Sequence, residues 1–212
     1  MKFSGARKEF YMIKNVVFDM GGVIILFDEV NMVGKYTSCQ EDTELVRSVM
    51  LDRLYWDKLD KGTMTDEEAV AAMKARLPER LWKSVEDSYY NWIYNLIAVE
   101  GIEELIADLK KEGKVRLFLL SNISTYFAEH EEVVPVLKLF EKRIYSAVIG
   151  MVKPNREIYE YLCAECDILP EETLFIDDSE GNIKGAESVG IHGYRFDGDS
   201  VKLRRFLEKT LS

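Results

Sequence analysis

The residues best suited to chemistry in this chain are acidic and lie at the ends of apolar runs. Asp19 follows Val16-Val17-Phe18 and precedes the turn Met20-Gly21-Gly22. Asp177 and Asp178 follow Leu174-Phe175-Ile176. Ser121-Asn122 follows Leu117-Phe118-Leu119-Leu120, and Lys153 stands before Pro154 in Gly150-Met151-Val152-Lys153-Pro154. A carboxylate at the tip of a buried strand, facing a glycine-rich turn, is where an open α/β sheet places its chemistry. Two adjacent carboxylates at such a tip repel each other unless a cation or hydrogen-bond donors sit between them. Each feature also has an ordinary reading alone: Asp19 as a turn cap, Ser121-Asn122 as turn residues, Lys153 as a solvated loop lysine.

These residues need a scaffold that brings them together. Ile13–Phe18, Leu117–Leu120, Ile144–Ile149, Leu174–Ile176 and Gly193–Phe196 read as short buried strands. Near-continuous apolar strands imply a parallel sheet covered on both faces. Helical stripes alternate with them: Ile102, Leu105, Ile106 and Leu109 with Gly113 as C-terminal cap; a helix opened by Pro154; Ile183, Ala186 and Val189 stopped at Gly190; and Val201–Leu211. Alternation of this kind predicts right-handed βαβ units and a doubly wound, Rossmann-like sheet. The carboxyl ends of such strands share one edge, so the four segments should converge.

About 70 residues, from Asp28 to Val99, break the alternation. They hold no convincing strand. Glu41–Leu59 and Leu81–Ile97 read as helical, and Thr65-Asp66-Glu67-Glu68 is a capping box followed by Ala69, Val70, Met73 and Leu77 at helical spacing. The organisation expected is a core of residues 12–28 and 100–212, a helical cap of residues 29–99, and a poorly ordered extension of residues 1–11 with translation starting at Met12.

With 212 residues, 47% hydrophobic and 31% charged, the chain can bury a core. A formal charge of -10 argues against a nucleic-acid partner, and an anionic substrate would need a local positive site. No apolar run suits a membrane span, and no apolar signal core follows Met1. Three cysteines without framework spacing suit a reducing, cytoplasmic compartment. Cys163 and Cys166 fall in a helical pattern and have no second pair to complete a zinc site. Neither His130 nor His192 has partners for a serine-hydrolase triad. The sequence is compatible with a monomer or a homodimer.

The order and wording of the four segments resemble the haloacid dehalogenase superfamily of hydrolases over the whole chain, with the insert resembling that family's type-1 cap. The likeness is strongest to a phosphatase branch that includes sugar phosphatases and the phosphatase domain of epoxide hydrolases. The resemblance implies a phosphatase of a small phosphorylated metabolite, such as a sugar phosphate, working through an aspartyl-phosphate. Asp19 is then the nucleophile. Asp19, Asp178 and the Gly21 carbonyl would hold Mg²⁺, for which carboxylate and carbonyl oxygens suit. Ser121 would donate to a phosphoryl oxygen, Asn122 would lie beside the substrate, and Lys153 would offset the charge of nucleophile and phosphate. Asp177 and Asn182 would orient the metal end. In the cap, Tyr55 and Trp56 either project over the site, with Trp56 touching substrate, or pack inside the helices.

One departure stands out. In most phosphatases of the superfamily the residue two after the nucleophile is an aspartate that protonates the leaving group; here it is Gly21. A general acid–base group contributes about 10²–10⁴ in rate. Three readings follow: a leaving group that needs little protonation, such as a sugar-1-phosphate or aryl phosphate; replacement by Asp177, a cap residue or water; or a weakly catalytic protein that binds a phosphorylated ligand. The superfamily's dehalogenases also lack this aspartate. They need no metal and would have little use for Asp177-Asp178, which disfavours 2-haloacid chemistry.

Overall fold

The computed structural model describes residues 12–211, so the expected extension of residues 1–11 lies outside the described part. In chain order the strands are β1 (Asn15–Phe18), β2 (Ile25–Phe27), β3 (Leu96–Ala98), β4 (Arg116–Ser121), β5 (Lys142–Tyr145), β6 (Thr173–Asp177) and β7 (His192–Arg195). Five of them form one sheet in the order β5-β4-β1-β6-β7, and all its pairings are parallel. β1 is central. The chain leaves it first toward β4 and β5, then crosses to β6 and β7, so the topological switch falls beside β1.

Strand periodicity divides the core into two layers. Val16, Phe18, Leu117, Leu119, Leu174 and Ile176 pack on one face, with helices Ile102–Glu112 and Ser200–Thr210. Val17, Phe118, Leu120 and Phe175 face the other way, against Ile158, Tyr159, Leu162 and Ile183 from helices Arg156–Cys166 and Glu180–Glu187. Cys163 and Cys166 are ordinary residues of the former helix.

The insert is helical: Glu29–Gly34, Gln40–Met50, Arg53–Asp60, Asp66–Ala75 and Trp82–Asn91. The capping box forms as read, with the Thr65 hydroxyl accepting from the Glu68 N–H and the Glu68 carboxylate accepting from the Thr65 N–H. Among the described residues no helix is long and apolar enough to cross a membrane.

Four expectations need correction. The stretch from Asp28 to Val99 does contain a strand, because Leu96–Ala98 pairs antiparallel with Ile25–Phe27 where the chain leaves and re-enters the core. Such a short pair has too few residues to show a period. The helical run expected over Leu81–Ile97 therefore stops at Asn91, with a 3₁₀ turn over Trp92–Asn95. Only the first part of Ile144–Ile149 is strand: β5 ends at Tyr145, and Ser146–Ile149 is a helical turn closed by Gly150 at φ +70°. A buried apolar run does not distinguish those two conformations. Pro154 precedes its helix rather than opening it, since Asn155 is the N-cap and Arg156 the first helical residue.

Candidate active site

Asp19, Ser121 and Asp177 arrive at one edge of the sheet for a simple reason. Phe18 is paired with Leu119 on one side and Ile176 on the other, so Asp19, just past β1, emerges beside the last residues of β4 and β6. Lys153 comes from the loop after the Ser146–Ile149 turn, not from a strand end. Its Nζ lies 2.7 Å from Asp19 Oδ1 and 2.7 Å from Asp177 Oδ2, and all three side chains are buried.

This ion triad is closely satisfied. Met20 N–H donates to Asp19 Oδ1 at 2.7 Å. Ser179 N–H donates to Asp177 Oδ1 at 2.8 Å, and Asn182 Nδ2 donates to both Asp177 oxygens at 3.0 Å. None of these bonds uses Asp19 Oδ2. Burial pushes the Asp19 carboxyl above its usual range, the Lys153 ammonium opposes this, and the Asp177 charge adds to it. Burial alone would lower the Lys153 pKa, but Asp19 and Asp177 outweigh it, so the ammonium is held charged.

Oxygens of Asp19, Asp177 and Asp178 lie within 4.8 Å of one another. All are hard donors of the kind a small divalent cation takes. Asp177 is already committed to Lys153, Asn182 and Ser179, which leaves Asp19 and Asp178 as the donors with capacity. A bound cation would pull both carboxyl pKa values down. Asp178 is more open than its neighbours, and burial with the adjacent Asp177 raises its pKa. Gly22 makes room for it: at φ +73°, a Cβ there would meet Asp178 Oδ2 at 2.4 Å. A side chain at this position would be strained and would also displace the carboxylate.

Asn122 does something the sequence did not reveal. Its Nδ2 donates to the Lys153 carbonyl at 3.0 Å and its Oδ1 accepts from the Lys153 N–H at 2.8 Å. This clamp fixes the lysine backbone to the end of β4. Ser121 is buried beside it.

A cavity of about 260 Å³ opens between core and insert. Phe27, Trp56, Trp92, Met32 and Met50 give it an apolar wall, with Glu29, Arg53 and Asp60 as its charged points and Asn122 and Ile123 on the core side. Arg53, Trp56 and Asp60 sit at i, i+3 and i+7 on one helix, hence on one face. Trp56 is half-buried in this wall and its indole N–H donates to the Met50 carbonyl at 2.7 Å, whereas Tyr55 is buried inside the insert. The space next to Gly21 holds a ring, because a Cβ there would meet Phe27 Cε2 at 2.9 Å. Asp60 was missed by sequence reasoning. Its four-residue spacing from Trp56 within a helical segment was the available signal. Neither histidine joins the site: His130 Nδ1 bonds the Tyr126 carbonyl, and His192 Nε2 the Glu171 carbonyl.

Residues 13–190 match the model of the haloacid dehalogenase-like hydrolases. D-ribitol-5-phosphate phosphatase of Bacteroides thetaiotaomicron is 25% identical over 196 residues, 87% of this chain and 92% of that protein. A sesquiterpene phosphatase of Aspergillus oryzae is 25% identical over 183 residues, 85% of this chain and 88% of that protein. A HAD-family enzyme of Bacteroides thetaiotaomicron, crystallised as a magnesium complex, superposes with a TM-score of 0.70 at 26% identity, covering 91% of this chain and 98% of that one. The chain belongs to the haloacid dehalogenase-like hydrolases, and the fold and phosphatase relatives agree with the resemblance carried by its four segments.

Proposed function

On that premise, we propose that this chain is a Mg²⁺-dependent phosphatase of a small phosphate monoester, a sugar phosphate among the candidates, acting through an aspartyl-phosphate on Asp19. The observation that carries this reading is the state of Asp19. Its Oδ1 is held by Lys153 and the Met20 N–H, while Oδ2 is engaged by neither, at the meeting point of three carboxylates.

In this reading Asp19 Oδ2 attacks phosphorus in line with the leaving oxygen. Ser121 donates to an equatorial phosphoryl oxygen. Lys153 offsets the charge of nucleophile and phosphate, and Asn122 keeps it in place. Asp19, Asp178 and the Gly21 carbonyl would hold Mg²⁺, with Asp177 and Asn182 orienting that end of the site. Bound there, the ion would supply charge neutralisation for phosphoryl transfer. The organic part of the substrate lies in the cavity against Trp56, Trp92 and Phe27. An apolar wall with three charged points suits a molecule that has one apolar face and a few hydroxyls, as a sugar ring does.

Purified protein should release phosphate from p-nitrophenyl phosphate and from sugar phosphates when Mg²⁺ is present. Chelation should stop the release, and Asp19→Asn should reduce it to background while the protein stays folded. Turnover that persists in Asp19→Asn, or that is indifferent to chelator, overturns the assignment.

A further inference from the structure

Two complementary features lie on opposite sides of the site, joined by the cavity that Phe27 and Asp60 both line. On the core side Gly21 has no side chain, and the Phe27 ring lies in the space where one would be. On the insert side Asp60, the last residue of helix Arg53–Asp60, lines the same cavity although it is only 9% exposed. Among the described residues no hydrogen bond or ion pair reaches the Asp60 carboxylate. A carboxylate that lines a cavity and is engaged by no protein donor is placed to meet a ligand there.

The Asp60 backbone is anchored to the core. The Ser146 hydroxyl donates to the Asp60 carbonyl at 2.5 Å and accepts from the Ile123 N–H at 2.9 Å, and Ile123 is two residues beyond Ser121. The following turn also rests on the core, since a Cβ on Gly62 would meet the Ala147 carbonyl oxygen at 2.3 Å. Asp60 is therefore held beside the end of β4 by backbone contacts, with its carboxyl free. Asp177, the acid of the sheet edge considered for this task, is excluded because Lys153, Asn182 and Ser179 engage both its oxygens.

We propose that Asp60 is the acid–base residue of the reaction, performing from the insert the task that Gly21 cannot perform from the core. This rests on the phosphatase reading above. In the first half-reaction Asp19 Oδ2 bonds to phosphorus as the bond to the leaving oxygen breaks. That oxygen keeps the electron pair and takes the proton of the Asp60 carboxylic acid. In the second half, the Asp60 carboxylate takes a proton from water while the water oxygen bonds to phosphorus. The bond to Asp19 breaks, which restores both carboxyl groups and releases inorganic phosphate. Burial pushes the Asp60 carboxyl up to about 6, against the lowering effect of Arg53 and Lys153 and with the Asp57 charge raising it. Both protonation states are thus accessible near neutrality, as the two halves require. Glu29 is the other acid on the cavity wall.

The test compares leaving groups. Wild type and Asp60→Asn are assayed with p-nitrophenyl phosphate, whose leaving group needs little protonation, and with phenyl phosphate and a sugar phosphate, whose leaving groups need more. Asp60→Asn should lower kcat about 10²–10⁴-fold on the sugar phosphate and less than about tenfold on p-nitrophenyl phosphate. It should also remove the pH-rate limb near pH 6. Equal losses on all substrates, or an unchanged pH profile, overturn the proposal. Wild type provides a check that does not depend on the variant folding: with an acid in place its kcat varies little from p-nitrophenyl to phenyl phosphate, and a steep fall overturns the assignment. Hydrolysis of p-nitrophenyl phosphate that survives Asp19→Asn would instead overturn the phosphatase reading itself.

Discussion

Asp177 and Asp60 are both buried acids within the same site, and the protein treats them in opposite ways. Asp177, carried by the sheet, has both oxygens engaged by a lysine, an asparagine and a main-chain N–H. Asp60, carried by the insert, has a firmly held backbone and a carboxylate with no hydrogen-bond partner among the described residues. The sheet side is preorganised, so its charges are already compensated and its geometry costs little reorganisation during reaction. The insert side is left unsatisfied, and substrate would complete it. One wall thus fixes charge, and the other can exchange a proton.

The strongest way to break this contrast is to remove the centre of the satisfied side. Lys153→Ala leaves Asp19 and Asp177 as uncompensated buried charges and should cost about 3–5 kcal/mol in urea denaturation, along with activity. A small stability loss would mean that the triad is not held as described.

Asp60 should behave inversely. Its carboxyl is raised from 3.8 to about 6 in the folded protein, so the folded state binds the proton more tightly than the unfolded chain. Its contribution to stability is present below about pH 4 and is lost as the pH rises to about 6, on the order of 3 kcal/mol at most. Asp60→Asn should therefore flatten the stability profile across that window and be at least as stable as wild type at pH 7. A variant that is less stable than wild type at pH 7 would show that the carboxylate has a partner after all.

The smallest effect belongs to the clamp. Asn122→Ala strips the Lys153 backbone of two hydrogen bonds and should cost about 1–3 kcal/mol. The expected kinetic signature is a lower kcat with KM little changed, since the lysine is mispositioned rather than lost. An unchanged kcat would confine Asn122 to a structural role.

Much of the sheet side was legible in the sequence. Asp19, Ser121 and Asp177 follow apolar runs whose burial on both faces marks them as parallel strands, and strand ends gather on one edge. Lys153 was found by its place in the motif order, although the strand expected before it proved to be half helical turn. The insert side was less legible. The β2–β3 pair is too short to show a period, and Asp60 lies in the charged run Asp57-Lys58-Leu59-Asp60-Lys61, which has the composition of a solvated face. Only its packing against the core buries it.

The sequence by itself determined the doubly wound sheet, the helical insert and the vacancy at Gly21, because these follow from local patterns and residue identity. The tertiary structure alone decided what occupies that vacancy. Phe27 fills the space, Asn122 is turned to hold Lys153, and Asp60 is carried to the cavity from the far side. The first depends on the turn that folds β2 back over Gly21, the other two on segments distant in the chain being pressed together, and no local period encodes such contacts.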